Sequence, residues 1–206
     1  MRLPEPMLLR SGAIPSGDYA FEVKWDGFRA LVSRNGDFTV RSRRGWNMTA
    51  LLQDLSDLPA DTVFDGEIVA FENGHPHFPL VCDRLLHGDR SVPLTYVIFD
   101  VLTLEGEPTL RLPYRERRQL LDGLKLGDGP WFVAETFEDG EALFAAVCEQ
   151  GLEGVVAKRQ SQPYRPGERA WVKTKNKAYC RYGEEVESLR RSLERGTLRR
   201  REHVFR

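Results

Sequence analysis

Residues 21–30 read Phe-Glu-Val-Lys-Trp-Asp-Gly-Phe-Arg-Ala. A β-favouring run ends at Lys24, breaks at Asp26-Gly27 and starts again at Arg29, so two strands meet at a turn with a lysine on its edge. Outward from this turn, alternating or β-branched runs predict strands near Tyr19–Lys24, Arg29–Arg34, Phe38–Ser42, Thr62–Phe71, Thr95–Leu102, Trp131–Ala134, Gly154–Lys158 and Ala170–Lys173. Asn35-Gly36 between two of them is a hairpin signal. Helical spacing appears near Met48–Leu58, Arg115–Leu124 and Glu141–Glu149. Grouped strands with interspersed helices and no regular βαβ alternation imply an α+β fold with mostly antiparallel sheets.

The 206 residues, 41% hydrophobic and 30% charged, suffice for one core or for two small lobes around a cleft. No apolar stretch approaches the roughly 18 residues that span a bilayer, and MRLPEPMLLRSG lacks the apolar region of a signal peptide. Cys82, Cys148 and Cys180, odd in number and widely spaced, form neither a disulfide framework nor a zinc site. A reducing cytoplasm and no membrane partner are expected. From about Arg181 the chain turns Arg- and Glu-rich, with one narrow stripe of Val186, Leu189 and Leu193. Residues 178–206 therefore read as a C-terminal extension, helical and solvated, beyond a domain at 1–177.

The net charge of −1 does not advertise a nucleic-acid partner, although a global balance can hide a local basic face. The cations divide into 24 Arg and 6 Lys, and five of the lysines fall at Lys24, Lys158 and the run Lys173, Lys175, Lys177. Arginine cannot be deprotonated in a protein, so an amine nucleophile has to be lysine. Asp65-Gly66-Glu67 lies inside the apolar run TVFDGEIVAF, where acids sit either at a wet turn or facing a cleft. Phe99 falls in the buried-looking TYVIFDVL, and Glu153 and Lys158 flank a strand in GLEGVVAKR. In RAWVKTKNK, Lys173 and Lys175 are two apart and share a strand face. His75 and His77 lie in the loop NGHPHFP and read as exposed residues, not as a metal site.

Together these windows resemble the covalent nucleotidyltransferases, the ATP-dependent DNA ligases above all. Lys24-Trp25-Asp26-Gly27-Phe28-Arg29 is similar to their lysine motif, and Ser42-Arg43-Arg44-Gly45 to the short arginine motif after it. Asp65-Gly66-Glu67, Ile98-Phe99-Asp100, Glu153-Gly154-Val155-Val156 and Trp171-Val172-Lys173-Thr174-Lys175 match the remaining motifs in order. Pro6-Met7-Leu8 is similar to the start of bacterial ligases of the end-joining type, and the resemblance runs over about residues 5–177.

The resemblance implies a ligase adenylation domain, two antiparallel sheets with flanking helices around an ATP cleft. It implies that Lys24 attacks ATP, keeps AMP, and passes it to a 5′-phosphate of nicked or broken duplex DNA. Glu22, Arg29, Glu67, Phe99, Lys173 and Lys175 would bind the nucleotide, with Phe99 stacked on adenine and Glu22 accepting from its amine. Arg43 would hold the 5′-phosphate of the nick, and Glu67 and Glu153 would hold Mg²⁺ or Mn²⁺. Lys158 would be structural or a weak phosphate contact. Lys173 and Lys175 would help uncharge the Lys24 amine and neutralise phosphate. The family normally continues into an OB-fold, for which the residues after Lys177 are too few. A monomer is expected, with a separate OB-fold or DNA-end-binding protein as a possible partner. The alternatives are an RNA ligase or capping-type nucleotidyltransferase, or a non-catalytic module for nucleotide or DNA ends.

Overall fold

A computed structural model describes residues 3–126 and 128–179. The expected Arg-rich extension, and Cys180, lie outside them. The strands are β1 (Leu8–Ser11), β2 (Tyr19–Val23), β3 (Phe28–Ser33), β4 (Thr39–Ser42), β5 (Val63–Val69), β6 (Phe71–Glu72), β7 (His75–Pro76), β8 (Thr95–Leu104), β9 (Glu107–Pro108), β10 (Trp131–Val133), β11 (Gly154–Arg159) and β12 (Arg169–Lys175). Three α-helices join them: α1 (Phe78–Leu86), α2 (Tyr114–Gly123) and α3 (Gly140–Glu149).

Two sheets dominate, one ordered β1-β12-β11-β2 and the other β10-β8-β5-β3-β4. Their pairings are antiparallel except at one edge of each sheet, where β1 runs parallel to β12 and β10 parallel to β8. The α+β expectation therefore holds with sheets that are mixed at their edges.

Strand alternation decides what each face carries. In the four-stranded sheet Phe21, Val155, Ala157 and Val172 pack under α3 with Leu143 and Val147. The intervening Glu22, Val156, Lys158, Trp171, Lys173 and Lys175 face the opposite way, into a cleft. In the other sheet Ala30, Val32, Phe64, Ile68, Tyr96 and Ile98 enter the largest core. Arg29, Glu67 and Phe99, on the reverse face, line the same cleft. A smaller core of Met7, Leu31, Val63, Leu102, Tyr164 and Trp171 closes the space between the sheets beside it.

Three differences from the expected elements have physical reasons. Met48–Leu58 forms two short 3-10 turns, Thr49–Leu51 and Gln53–Asp57, interrupted at Leu52 (φ −127°, ψ 41°), in place of one α-helix. The buried Leu52, Leu55 and Leu58 are three apart, the period at which 3-10 side chains align. The helix α1 was not expected, although Pro79 in its first turn is a start signal. Strand β1, four residues on an exposed edge, was too short and too weakly patterned to stand out.

Candidate active site

The cleft has a volume of about 840 Å³ and takes side chains from both sheets. Lys24 follows the end of β2, and its backbone N–H donates to the Gly154 carbonyl at 2.8 Å, which fixes it opposite the start of β11. Its Nζ lies 2.6 Å from Glu153 Oε2, and Lys175 Nζ lies 2.9 Å from the other oxygen of the same carboxylate. The second contact is an ion pair without hydrogen-bond alignment, since Glu153 Oε1 has no hydrogen-bond partner among the described residues. Glu153 is buried, so it ties the Lys24 loop to β12 through two cations. In the resting site the contact partner of the Lys24 ammonium is therefore the Glu153 carboxylate, which Lys175 shares.

Asp65-Gly66-Glu67 sits within β5 and not at a turn. Asp65, fully buried, takes a forked pair of bonds from Arg29 Nε (2.9 Å) and Nη2 (2.6 Å) and a third from the Tyr164 hydroxyl (2.6 Å). Tyr164 in turn accepts from the Met7 backbone N–H at 2.8 Å. The Arg29 fork is thus committed to Asp65, which leaves Nη1 as its one nitrogen without a bond among the described residues. Glu67 faces the cleft, and burial pushes its carboxyl up to about 8 against the lowering pull of Lys24 and Arg29. Glu153 and Asp65 add smaller raising effects, which places the two candidate metal-binding glutamates within each other's field.

Phe99 owes its position to a β-bulge. The register pairs Asp65 with Asp100 and Gly66 with Ile98, leaving Phe99 without a Cα partner in β5. A bulge re-aims a side chain, and here the Phe99 ring lines the cleft, edge-on to Trp171 at 5.9 Å. Its carbonyl accepts from Lys158 Nζ at 2.9 Å.

Lys158 is buried, with its ammonium 4.4 Å from the centre of Trp171, 4.6 Å from Phe99 and 5.1 Å from Tyr114. It pairs with Glu22 Oε1 at 2.7 Å, and the same oxygen accepts from the Tyr114 hydroxyl at 2.6 Å. Burial lowers the Lys158 pKa, against the raising pull of Glu22 and Asp100. The structural reading of Lys158 fits this position. Sequence reasoning missed Tyr114 and Tyr164, the hydroxyls that fix Glu22 and Asp65, because neither lies in a motif.

Lys173 lines the cleft beside Lys175, as the two-residue spacing requires. Arg43 stands exposed on the turn after β4, also at the cleft. Lys125, His75, His77 and His87 lie elsewhere, and among the described residues no group of three or more His, Cys, Asp or Glu could hold a metal unaided. Two carboxylates in one cleft suit a hard cation that completes its shell with phosphate oxygens and water, as Mg²⁺ does.

The lining holds eight Lys or Arg against four Asp or Glu, so the cleft is cationic in a chain of net charge −1. It can receive a polyphosphate with an aromatic base.

Residues 11–175 match the family model described as the ATP dependent DNA ligase domain. The chain is 35% identical over 182 residues to the multifunctional non-homologous end joining protein LigD of Mycolicibacterium smegmatis, covering 82% of this chain but 23% of that protein. It is 35% identical over 183 residues to the SPbeta prophage-derived DNA ligase-like protein LigB of Bacillus subtilis, covering 84% and 68%. Among solved structures, the ligase domain from M. tuberculosis LigD superposes with a TM-score of 0.70 at 35% identity, over 84% of this chain and 59% of that one. Mycobacterial DNA ligase D complexed with ATP and MES gives a TM-score of 0.71 at 35% identity, over 84% and 60%.

Proposed function

The chain belongs to the ATP-dependent DNA ligase family, and on that premise we propose that it moves AMP from ATP onto Lys24 and then onto the 5′-phosphate of a nick or break in duplex DNA. The observation that carries this reading is the meeting of Lys24, Glu67, Phe99, Glu153, Lys173 and Lys175 around one cleft from distant parts of the chain. A module that only bound nucleotide or DNA ends would not need all of them intact.

The Lys24 amine leaves its pair with Glu153, loses a proton and attacks the α-phosphorus of ATP. A phosphorus–nitrogen bond forms, the bond to the pyrophosphate oxygen breaks, and pyrophosphate departs. A 5′-phosphate oxygen of the DNA then attacks the same phosphorus, returning the electron pair to nitrogen, which regains a proton. The 3′-hydroxyl finally attacks the activated 5′-phosphorus and expels AMP.

Each side chain has a role in this sequence. Phe99 offers its ring to adenine, and Glu22, held at one oxygen by Lys158 and Tyr114, offers the other as acceptor to the exocyclic amine. Lys173 and Lys175 neutralise the charge that grows on the phosphates. Arg29 contributes through Nη1 and by fixing Asp65. Arg43 holds the 5′-phosphate of the nick. Glu67 and Glu153 would hold Mg²⁺ or Mn²⁺, which would supply positive charge to the phosphates. The location is the cytoplasm, and among the described residues no helix is long and apolar enough to cross a membrane. A monomer works with nicked DNA, with a separate OB-fold or DNA-end-binding protein as its candidate helper, and residues 1–177 act as the adenylating unit.

Incubation with ATP labelled on the α-phosphate, followed by denaturing electrophoresis, tests the reading. Label should remain on the protein through an acid-labile bond, require a divalent cation, and vanish in Lys24→Ala and Lys24→Arg. Persistent labelling of Lys24→Arg would overturn the nucleophile.

A further inference from the structure

The turn that follows β4 has features that the adenylation chemistry does not use. Its backbone is closed by Ser42 N–H to the Trp46 carbonyl at 2.9 Å, Gly45 N–H to the Ser42 carbonyl at 2.9 Å and Trp46 N–H to Ser42 Oγ at 3.0 Å. This hydrogen-bonded loop displays Arg43, Arg44 and Trp46 at the cleft. Neither guanidinium has a hydrogen bond, ion pair or aromatic contact among the described residues. Trp46 keeps 39% of its surface exposed, an unusual cost for so large an apolar side chain.

The indole does not lie loose on the surface. It meets Phe28 nearly edge-on, with centroids 6.5 Å apart and planes at 68°, and Phe28 is stacked on Phe78 at 5.3 Å and 6°. Two rings from β3 and α1 thus prop the indole at the cleft wall. A side chain held this way loses little entropy when a ligand covers it. Free guanidiniums beside a propped, exposed ring match one ligand chemistry, phosphate followed by nucleoside.

We infer that Trp46 is a positioning residue for DNA, packing against the nucleoside of the 5′-phosphorylated strand while Arg43 and Arg44 take its phosphates. This rests on the ligase reading above and adds a contact to it. Trp46 supplies apolar area without charge, and the arginines supply charge without area. The two contributions therefore respond differently to salt. Neutralising a phosphate releases counterions and steepens the fall of affinity with salt, whereas packing on a ring does not.

The test measures binding to a 5′-phosphorylated nicked duplex over a series of salt concentrations, with lysyl-AMP formation followed on the same preparations. Trp46→Ala should weaken nick binding about tenfold at every salt, giving a line parallel to wild type. Trp46→Phe should recover most of the loss. Arg44→Ala should instead flatten the salt dependence by about one unit of slope. Nick binding in Trp46→Ala should fall far more than lysyl-AMP formation. Wild-type affinity in Trp46→Ala, no recovery by Phe, or an equal fall in lysyl-AMP formation would each overturn the role. A wild-type protein that forms no lysyl-AMP at all would overturn the ligase reading instead, so the two failures are distinct.

Discussion

Burial changes the chemistry of Glu67, whose pKa stands near 8 in place of the ordinary 4.5. An acid raised on folding binds its proton more tightly in the folded chain than in the unfolded one. Ionisation of the unfolded chain therefore erodes stability as pH climbs from about 4.5 to 8, and below 4.5 the cost is absent. Glu67→Gln removes that titration. Its melting temperature relative to wild type, without nucleotide, should rise between pH 5 and pH 8.5, and a constant difference would refute the assignment. Lys173→Ala should slow lysine adenylation by about 100-fold or more, as expected for one preorganised charge-stabilising group. Exposed Lys125, outside the cleft, supplies the control: Lys125→Ala should leave the rate alone, and equal effects would refute the pairing of Lys173 with the phosphates. The motifs that resemble those of the ligases singled out Lys24, Glu67, Glu153 and the paired lysines, and all five line the cleft. What they touch was not legible in the sequence. The Lys24–Glu153 contact joins residues 129 apart, and no local pattern encodes it.

At the scale of elements, β5 shows how tightly two strands can be drawn. A Cβ placed on Gly66 would lie 2.5 Å from the Val97 carbonyl oxygen and 2.5 Å from the Tyr96 ring, whose hydroxyl is tied to the Ala30 carbonyl at 3.0 Å. Gly66→Ala should therefore cost about 1–3 kcal/mol, typical of overpacking, read as a lower urea midpoint with unchanged slope. Gly123, at the end of α2, has open space around it and no left-handed backbone. Gly123→Ala should be neutral or stabilise by up to about 1 kcal/mol, and a comparable loss at both positions would remove the packing argument. Most strands were legible from alternation, since β2, β5, β11 and β12 each carry one apolar face and one cleft face. The bulge at Phe99 was not, because its cause is a register mismatch between β5 and β8 that neither strand shows alone. Two 3-10 turns over Met48–Leu58 imitate an α-helix for a related reason, since short segments of periods 3.0 and 3.6 share their i, i+3 contacts.

Across the whole molecule, the cleft draws on both sheets, so a nucleotide bound there bridges them. Lys24→Ala cannot form the covalent adduct and isolates this bridging. With ATP at about 100 times its Kd, linkage predicts a gain of about 2.7 kcal/mol, or roughly 5–10 °C in Tm for a chain of this size. A Tm that does not move with saturating ATP would mean the cleft does not hold the nucleotide. The overall charge of −1 concealed a cationic cleft because acidic residues elsewhere balance it. Composition reports a sum, whereas binding responds to local density.

The parallel pairing of β1 with β12 joins residues about 160 positions apart, Leu8 opposite Arg169 and Ser11 opposite Lys173. During synthesis, therefore, β1 and β2 leave the ribosome long before the strands that will flank them. At about 5–20 residues per second, β2 waits on the order of ten seconds for β11, and Lys24 waits as long for Glu153. The sheet that holds β3, whose pairings β3–β4 and β3–β5 are closer in sequence, can condense first. The nucleophile's strand is thus made early and waits for the rest of its own sheet. An edge left open for that interval, with its backbone groups unpaired, is exposed to pairing with the wrong strand until β11 arrives.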